Sequence, residues 1–164
     1  APGETGELVV RGANVMQGYW NLPAETSRAL RQGRHPYERV LYSGDLFRRD
    51  EEGFLYFVGR KDDIIKCKGE KVSPREVENV LYQIAGVGEA AVVGMPDPLL
   101  GEAVVAIVQR QDGGDLSTAE ILRHCSANLE SFCVPREVIF IEEMPKSPNG
   151  KIDKKRLTAM LAER

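Results

Sequence analysis

The sequence has few of the residues on which metal sites and nucleophilic triads usually depend. It contains two histidines, His35 and His124, and three cysteines. Cys67, Cys125 and Cys133 show none of the paired spacings typical of zinc ligands, and their odd number does not fit a disulfide framework. We therefore expect no metal site and no histidine-based triad, and we interpret the cysteines as free thiols in a reducing compartment.

Long apolar runs and a strong charge imbalance are also missing. No stretch approaches the roughly 20 apolar residues that a membrane-spanning helix needs, and the N-terminus lacks the charged-then-apolar pattern of a secretion signal. Basic and acidic residues number 22 and 25, which gives a net charge of -3. This balance argues against a dedicated binder of nucleic acid or of a membrane surface. We expect a cytoplasmic protein with no membrane span.

Two blocks of different character follow one another along the chain. The first contains predicted strands and one short helix, but its strands are too few to enclose a core without a partner surface. We therefore interpret residues 1–61 as part of a larger body. Residues 62–164 form a complete small unit in which strands and helices alternate, which predicts an α+β fold. The strands of the first block are predicted over 7–11, 40–43, 45–49 and 54–58.

Capping patterns in the sequence mark where two helices of the second block begin. Ser73 followed by Pro74 and Glu76 predicts a reciprocally capped helix that extends to about residue 84. Ser117 and Glu120 repeat the capping pattern and predict a second helix. A third helix is expected at the C-terminus. The strands of this block are predicted at 64–67, 71–72, 87–95, 103–109 and 137–141.

Individual residues suggest chemistry but do not establish it alone. Lys151 follows an Asn-Gly turn, where an ammonium can meet a phosphate or a developing oxyanion, although a solvated turn is the commoner meaning. Asp45 can accept hydrogen bonds from a diol, or it can be a simple turn aspartate. Arg60 can bind a phosphate through two donors, or it can pair with Asp62 or Asp63.

Four motifs in a fixed order are more specific than any single residue. Together they closely resemble the adenylate-forming superfamily, which includes acyl- and aryl-CoA synthetases, adenylation domains of nonribosomal peptide synthetases and firefly luciferase. The resemblance extends over essentially the whole chain. The motifs are Tyr42-Ser43-Gly44-Asp45, Gly59-Arg60-Lys61-Asp62, the stretch 66–72 and the stretch 145–151.

The resemblance implies a division between a large and a small domain. In this superfamily a large N-terminal domain binds ATP and a carboxylic acid, and a small C-terminal domain closes over it as a lid. Residues 1–61 would then be the β-barrel portion at the end of the large domain. Residues 62–164 would be the lid, an α+β domain with a mixed sheet and about three helices. The phosphate loop and the acid pocket would lie outside this sequence, together with the Mg²⁺ that accompanies ATP.

The same resemblance implies roles for individual residues in adenylation. Asp45 corresponds to the aspartate that holds the ribose hydroxyls of ATP, and Arg60 to the arginine that contacts the ribose or the phosphates. Asp62 corresponds to the hinge about which the lid rotates. Lys151 corresponds to the lysine that reaches the carboxylate and the α-phosphate as the acyl-adenylate forms.

A second half-reaction is implied by the segment that follows the hinge. Lys66, Lys68 and Gly69 correspond to the loop that lines the pantetheine channel after the lid rotates, and Gly69 would let the thiol arm pass close to the backbone. Phe132-Cys133 departs from the Tyr-Lys of many relatives and removes a positive charge at that position.

The acceptor of the acyl group has more than one interpretation. The amino-acid sequences of residues 6–12 and 69–78 resemble acid-CoA ligases more than the other members, which favours an acid-CoA ligase with ATP and CoA as co-substrates. A stand-alone activating enzyme that loads a phosphopantetheinyl carrier protein is the nearest alternative. A non-catalytic interaction module is the alternative from a different class.

Overall fold

The computed structural model describes residues 2–111 and 114–163, and it divides the chain into two compact units. The first unit is Ala1–Asp62 and the second is Asp63–Arg164. Each unit has its own sheet. A short 3-10 helix, Lys61–Asp63, carries the chain from the first unit into the second. None of the helices in the described ranges is long and apolar enough to cross a membrane.

The first unit is an antiparallel sheet in which the long strand β3 pairs with each of the remaining strands. The two strands predicted over 40–43 and 45–49 are one strand, because Gly44 adopts a φ of +73° and the chain continues through a bulge without leaving the sheet. The elements are β1 (Thr5–Arg11), α1 (Pro23–Ala29), β2 (Leu30–Gln32), β3 (Arg39–Arg49) and β4 (Leu55–Arg60).

This unit buries few of its own apolar side chains. Among its described hydrophobic residues only Leu30 and Val40 are buried, whereas Trp20 and Tyr37 are 89% and 99% exposed. Four consecutive apolar side chains, 54–57, are also exposed. The prediction that these strands do not enclose a core is therefore confirmed.

Within residues 63–111 and 114–163, the second unit is a mixed five-stranded sheet with three helices, which confirms the predicted α+β fold. Its two long strands, β7 and β8, pair antiparallel, and β9 joins β8 in parallel. The hairpin β5–β6 extends the sheet through a single Cys67–Gly101 pairing. The elements are β5 (Ile65–Cys67), β6 (Glu70–Val72), α2 (Pro74–Leu81), β7 (Val87–Asp97), β8 (Gly101–Arg110), α3 (Thr118–Asn128), β9 (Glu137–Ile141) and α4 (Lys154–Ala162).

Alternation along β7 and β8 gives this sheet two buried faces. One face packs against α2 and α3, and the other packs against α4 and the segment before it. The first face includes Ala90, Val92, Val104, Ala106 and Val108, and the second includes Ala91, Val93, Val105 and Ile107. The burial of both faces explains why these strands read as continuous apolar runs.

The two predicted capping boxes have different outcomes. At α3 the Ser117 hydroxyl accepts the Glu120 amide at 3.3 Å, and the Glu120 carboxylate accepts the Ser117 amide at 2.9 Å, as predicted. At α2 the Ser73 side chain makes no capping bond, so this prediction is wrong. The Glu76 amide donates instead to the Ser73 carbonyl at 3.1 Å, which satisfies the amide without the hydroxyl. Helix α2 also ends at Leu81 and not near residue 84.

One edge of β7 has no strand neighbour among the described residues, and side chains from α2 and its C-terminal end cover it. The Tyr82 hydroxyl accepts the Ala90 amide and donates to the Ala90 carbonyl, both at 3.1 Å. One turn earlier, the Glu78 carboxylate accepts the Val92 amide at 2.9 Å. These side chains take the place of a neighbouring strand and protect an edge that would otherwise present unpaired backbone groups.

Candidate functional site

A bulge in the first unit brings Asp45 opposite Arg60. Between two regular pairs of β1 and β3, the single residue Leu8 faces residues 43–45 of β3. Asp45 is then the cross-strand partner of Arg60, and their side chains form an ion pair at 3.0 Å. The alternative pairing of Arg60 with Asp62 or Asp63 is not the one formed. Arg60 selects its opposite neighbour because the strand register brings their Cβ atoms close.

Side chains on β1 and β3 hold the bulge in shape. The Ser43 hydroxyl donates to the Leu8 carbonyl at 2.9 Å and accepts the Asp45 amide at 3.1 Å. The Glu7 carboxylate accepts the Gly44 amide at 3.1 Å and the Lys61 ammonium at 3.0 Å. Donation from Lys61, with the Gly44 amide, lowers the pKa of Glu7, so this carboxylate stays ionised as a fixed acceptor.

The Asp45–Arg60 pair keeps hydrogen-bonding capacity toward solvent. The two side chains are 29% and 52% exposed, so neither is enclosed by the sheet. A carboxylate offers about four acceptor positions and a guanidinium five donors, and one ion pair uses only part of each. The pair therefore presents acceptors for a diol beside donors for an anion.

The hairpin β5–β6 carries the three residues predicted for the pantetheine channel. Lys68 and Gly69 have φ values of +54° and +84°, as a tight type I′ turn requires. Lys66 lies opposite Lys71, and both lysines are exposed. No atom lies within 4 Å of a Cβ built at Gly69, so glycine is required there by backbone conformation and not by local crowding.

Neighbouring segments anchor this hairpin through its backbone. The Lys68 amide donates to the Leu100 carbonyl at 2.9 Å, and the Lys66 amide donates to the Glu102 carboxylate at 2.7 Å. The backbone bonds leave both lysine side chains exposed to solvent. The hairpin thus projects several ammonium groups from a fixed backbone.

Lys151 lies on a tightly hydrogen-bonded turn of the second unit. The Gly150 amide donates to the Ser147 carbonyl at 2.8 Å, and the Ser147 amide and hydroxyl both donate to the Lys151 carbonyl at 2.8 Å. Lys151 is exposed, and its ammonium has no hydrogen-bond or ion-pair partner within residues 2–111 and 114–163. The backbone is therefore fixed while the charge is free to meet a ligand.

Asp62 and Cys133 are two further positions that the sequence singled out. Asp62 is exposed within the 3-10 helix at the boundary between the units. Cys133 is only 3% exposed, and its burial, with smaller effects of Glu76 and Glu130, raises the pKa of the thiol to about 11. No cluster of three or more His, Cys, Asp or Glu side chains suited to a metal ion occurs in the described part of the chain.

Comparison with known proteins identifies the second unit. Residues 76–151 match the family model of the AMP-binding enzyme C-terminal domain. Residues 76–151, which lie within the second unit, therefore belong to this family. The match includes most of α2, the long strands of the sheet and the turn that presents Lys151.

Relatives of this AMP-binding C-terminal domain extend the similarity to both units. Long-chain-fatty-acid–CoA ligase of Bacillus subtilis (strain 168) is 42% identical over 157 residues, which are 96% of this chain and 27% of the relative. Feruloyl-CoA synthase of Amycolatopsis sp is 41% identical over 151 residues, which are 92% of this chain and 30% of the relative. The chain thus spans less than a third of the length of these ligases.

A solved structure gives the same correspondence in three dimensions. ATP-bound MatB from Rhodopseudomonas palustris matches with a TM-score of 0.85 at 32% identity, over 98% of this chain and 31% of MatB. The fold of the AMP-binding C-terminal domain is therefore that of an adenylate-forming enzyme.

Sequence reasoning missed several groups that support the predicted site residues. Glu7 and Lys61 brace the bulge that presents Asp45. Lys71 lies within the predicted pantetheine segment, 66–71, but was not singled out there, and it adds a second ammonium group opposite Lys66. The alternation of the hairpin residues offered a signal for Lys71, since a two-residue turn places 66 and 71 opposite each other. No local signal joins residue 7 to residue 61, because that contact depends on the sheet order.

Proposed function

We propose that this chain is the C-terminal part of an ATP-dependent acid-CoA ligase. The observation that supports this best is the free Lys151 ammonium on a rigid turn within a domain of the AMP-binding family. In the first half-reaction a carboxylate oxygen attacks the α-phosphorus of ATP, which forms the acyl-adenylate as pyrophosphate leaves. In the second, the thiol sulfur of CoA attacks the acyl carbon, AMP leaves with the bonding electron pair, and the thiol proton is released.

Lys151 is proposed to act in the first half-reaction. Carboxylate and ATP are both anionic, so their approach is opposed by charge repulsion until a cation lies between them. An ammonium that has no protein partner meets this need without first breaking an existing ion pair. The turn fixes where the lysine starts, and its four-carbon side chain provides reach.

Asp45 and Arg60 are proposed to hold the nucleotide. The Asp45 carboxylate would accept the two ribose hydroxyls, while the Arg60 guanidinium would donate to the ribose or to a phosphate oxygen. The ion pair between them already orients both groups before ATP arrives. Mg²⁺ is proposed to enter with ATP and to be held by residues outside this chain.

The β5–β6 hairpin is proposed to serve the second half-reaction. Like charges directly opposite on a sheet lower stability, so the exposed Lys66–Lys71 pair has a cost that a phosphate-bearing ligand would offset. CoA carries such phosphates along with its pantetheine thiol. Gly69 and Lys68 would border the path of the pantetheine arm, and rotation at Asp62 would bring this hairpin into use in place of Lys151.

Residues 1–61 are proposed to be the end of the large N-terminal domain of the same enzyme. Their exposed aromatic and apolar side chains would then be covered by that domain. The acid is proposed to be selected outside this chain. Relatives named for a fatty acid and for a feruloyl group are almost equally similar here, at 42% and 41% identity.

The decisive experiment separates the two half-reactions in the complete enzyme that contains this chain. Lys151→Ala should reduce acid-dependent pyrophosphate release by about a hundredfold or more, because an electrostatic contact to the transition state is lost. Thioester formation from supplied acyl-adenylate and CoA should change little. Lys155→Ala is the matched control, since it removes an exposed lysine four residues further on.

Three results would contradict this assignment. Equal losses in both half-reactions would remove Lys151 from a specific role in adenylation. Thioester formation with a phosphopantetheinyl carrier protein but not with free CoA would replace the ligase by a carrier-loading enzyme. The absence of pyrophosphate release with every acid tested would favour a non-catalytic module.

A further inference from the structure

The turn that presents Lys151 is bounded on both sides by lysines that form ion pairs. Lys146 precedes the turn and pairs with Glu89 at 2.9 Å, and Lys154 follows it and pairs with Glu78 at 2.7 Å. The two ends of this segment are also joined to each other, because the Asp153 amide donates to the Pro145 carbonyl at 2.8 Å. The segment is therefore a closed loop with two side-chain attachments to the body of the unit.

Of the two carboxylates, Glu78 is the better placed to hold the loop. Its Oε1 atom accepts both the Lys154 ammonium at 2.7 Å and the Val92 amide at the free edge of β7 at 2.9 Å. The Glu78 and Lys154 side chains are 16% and 29% exposed, so solvent screens this pair less than an ordinary surface pair. One carboxylate oxygen thus connects α2, β7 and the start of α4.

The position of Lys154 is otherwise unfavourable. It is the first residue of α4, where the helix dipole favours anions. The N-cap Asp153 supplies a carboxylate that accepts the Arg156 amide at 3.0 Å, whereas the first turn itself contains no acidic residue. Lys155 and Arg156 add two more positive charges directly after it. Helix formation alone does not explain a lysine at this place, whereas attachment to Glu78 does.

Glu89 provides a weaker second attachment. It lies on β7 just after the irregularity between Val87 and Glu89, and its carboxylate accepts the Lys146 ammonium, which raises the pKa of that lysine. The two side chains are 32% and 48% exposed, which makes this pair more screened than the Glu78 pair.

We propose that Glu78 is a positioning residue for Lys151. Through Lys154 it fixes the start of α4 against the edge of β7, and the closed loop transmits that position to the turn that carries Lys151. Glu89 supports the other end of the loop to a smaller degree. This inference rests on the proposed role of Lys151 in adenylation.

The test is a double-mutant cycle in the complete enzyme. Glu78→Gln keeps an acceptor for the Val92 amide, and Lys154→Met keeps the aliphatic stem, so both variants are expected to fold. Each should lower kcat for acid-dependent pyrophosphate release by about tenfold, since a displacement on the order of an ångström costs up to about a hundredfold. KM for ATP and thioester formation from supplied acyl-adenylate should stay near wild type. The double variant should lose no more than either single variant, because both remove one contact.

Asp97→Asn is the matched control for the loss of a paired carboxylate charge. Asp97 pairs with Arg136 and accepts the Leu99 and Leu100 amides, each at 2.9 Å, but it does not touch the loop. This variant should retain adenylation, and Glu89→Gln should lose about twofold to threefold, as expected for a more exposed pair. Thermal unfolding of every variant establishes that each is folded at the assay temperature.

The outcomes separate this inference from the function on which it rests. Full adenylation in Glu78→Gln and Lys154→Met, or additive losses in the double variant, would overturn the positioning role. Equal losses in both half-reactions would overturn it too, since a purely structural defect acts on both. If Lys151→Ala loses adenylation while Glu78→Gln does not, the proposed function stands and only the positioning role fails.

Discussion

Asp45 and Arg60 face each other across β3 and β4, with the carboxylate 3.0 Å from the guanidinium. The alignment depends on Gly44, because a Cβ at that position would lie 3.2 Å from Arg60 Nη2 and the φ of +73° already disfavours other residues. The Gly-Asp step of the motif therefore has a physical reason. Glycine at position 44 adopts the positive φ of the bulge and leaves space for the Arg60 guanidinium. Aspartate at position 45 supplies the negative charge that pairs with this guanidinium.

Asp45→Asn is expected to weaken ATP binding in the complete enzyme. An amide offers one acceptor oxygen in place of a carboxylate, and hydrogen bonds to a charged acceptor contribute about 1.5–3 kcal/mol. We expect KM for ATP in pyrophosphate release to rise by about tenfold or more, with kcat changed less. Asp50→Asn is the control, since it removes a carboxylate charge elsewhere in the first unit, where Asp50 accepts the Phe54 amide at 2.9 Å. A rise in KM of the same size in the control would reject a specific role for Asp45.

Gly69→Ala is expected to slow thioester formation more than adenylation. The positive φ at Gly69 makes alanine less favourable by about 1 kcal/mol, and the added methyl group would enter the proposed path of the pantetheine arm. We expect the rate with supplied acyl-adenylate and CoA to fall by about tenfold, measured by thioester release. Gly53→Ala carries a similar strain, with a φ of +95° and open space around the Cβ, but lies in the turn after β3. Should both variants slow the reaction equally, strain alone would be the explanation.

Local patterns predicted the elements of this chain well where one short-range interaction decides the outcome. The Ser117–Glu120 box formed because both partners lie within one helical turn. The equivalent residues at Ser73 are as favourable, but they did not form a capping box. The Glu76 amide donates to the Ser73 carbonyl there, in place of the Ser73 hydroxyl. Residue type alone does not distinguish these two outcomes.

Contacts between distant residues were beyond sequence reasoning. Glu78 and Lys154 lie on different helices, and their meeting depends on how α2 and α4 reach the same edge of β7. The Glu7–Lys61 pair likewise depends on strand order. The motifs predicted which residues carry charge toward a ligand, whereas the groups that hold those residues in place became visible only in the fold.

Because the Cys133 thiol is buried, we expect the free energy of unfolding to depend on pH in the alkaline range. Burial is the chief cause that raises the pKa of this thiol to about 11 in the folded chain, from 9.0 for an exposed thiol. The folded state therefore keeps a proton that the unfolded chain releases first, so the contribution is full below pH 9 and is lost as the pH rises toward 11. The free energy of unfolding from urea titrations should fall over this window. Cys133→Ala should show a shallower fall, because Cys125 and the lysines and tyrosines remain in both proteins. Parallel curves for the two proteins would show that the Cys133 thiol does not contribute to this pH dependence.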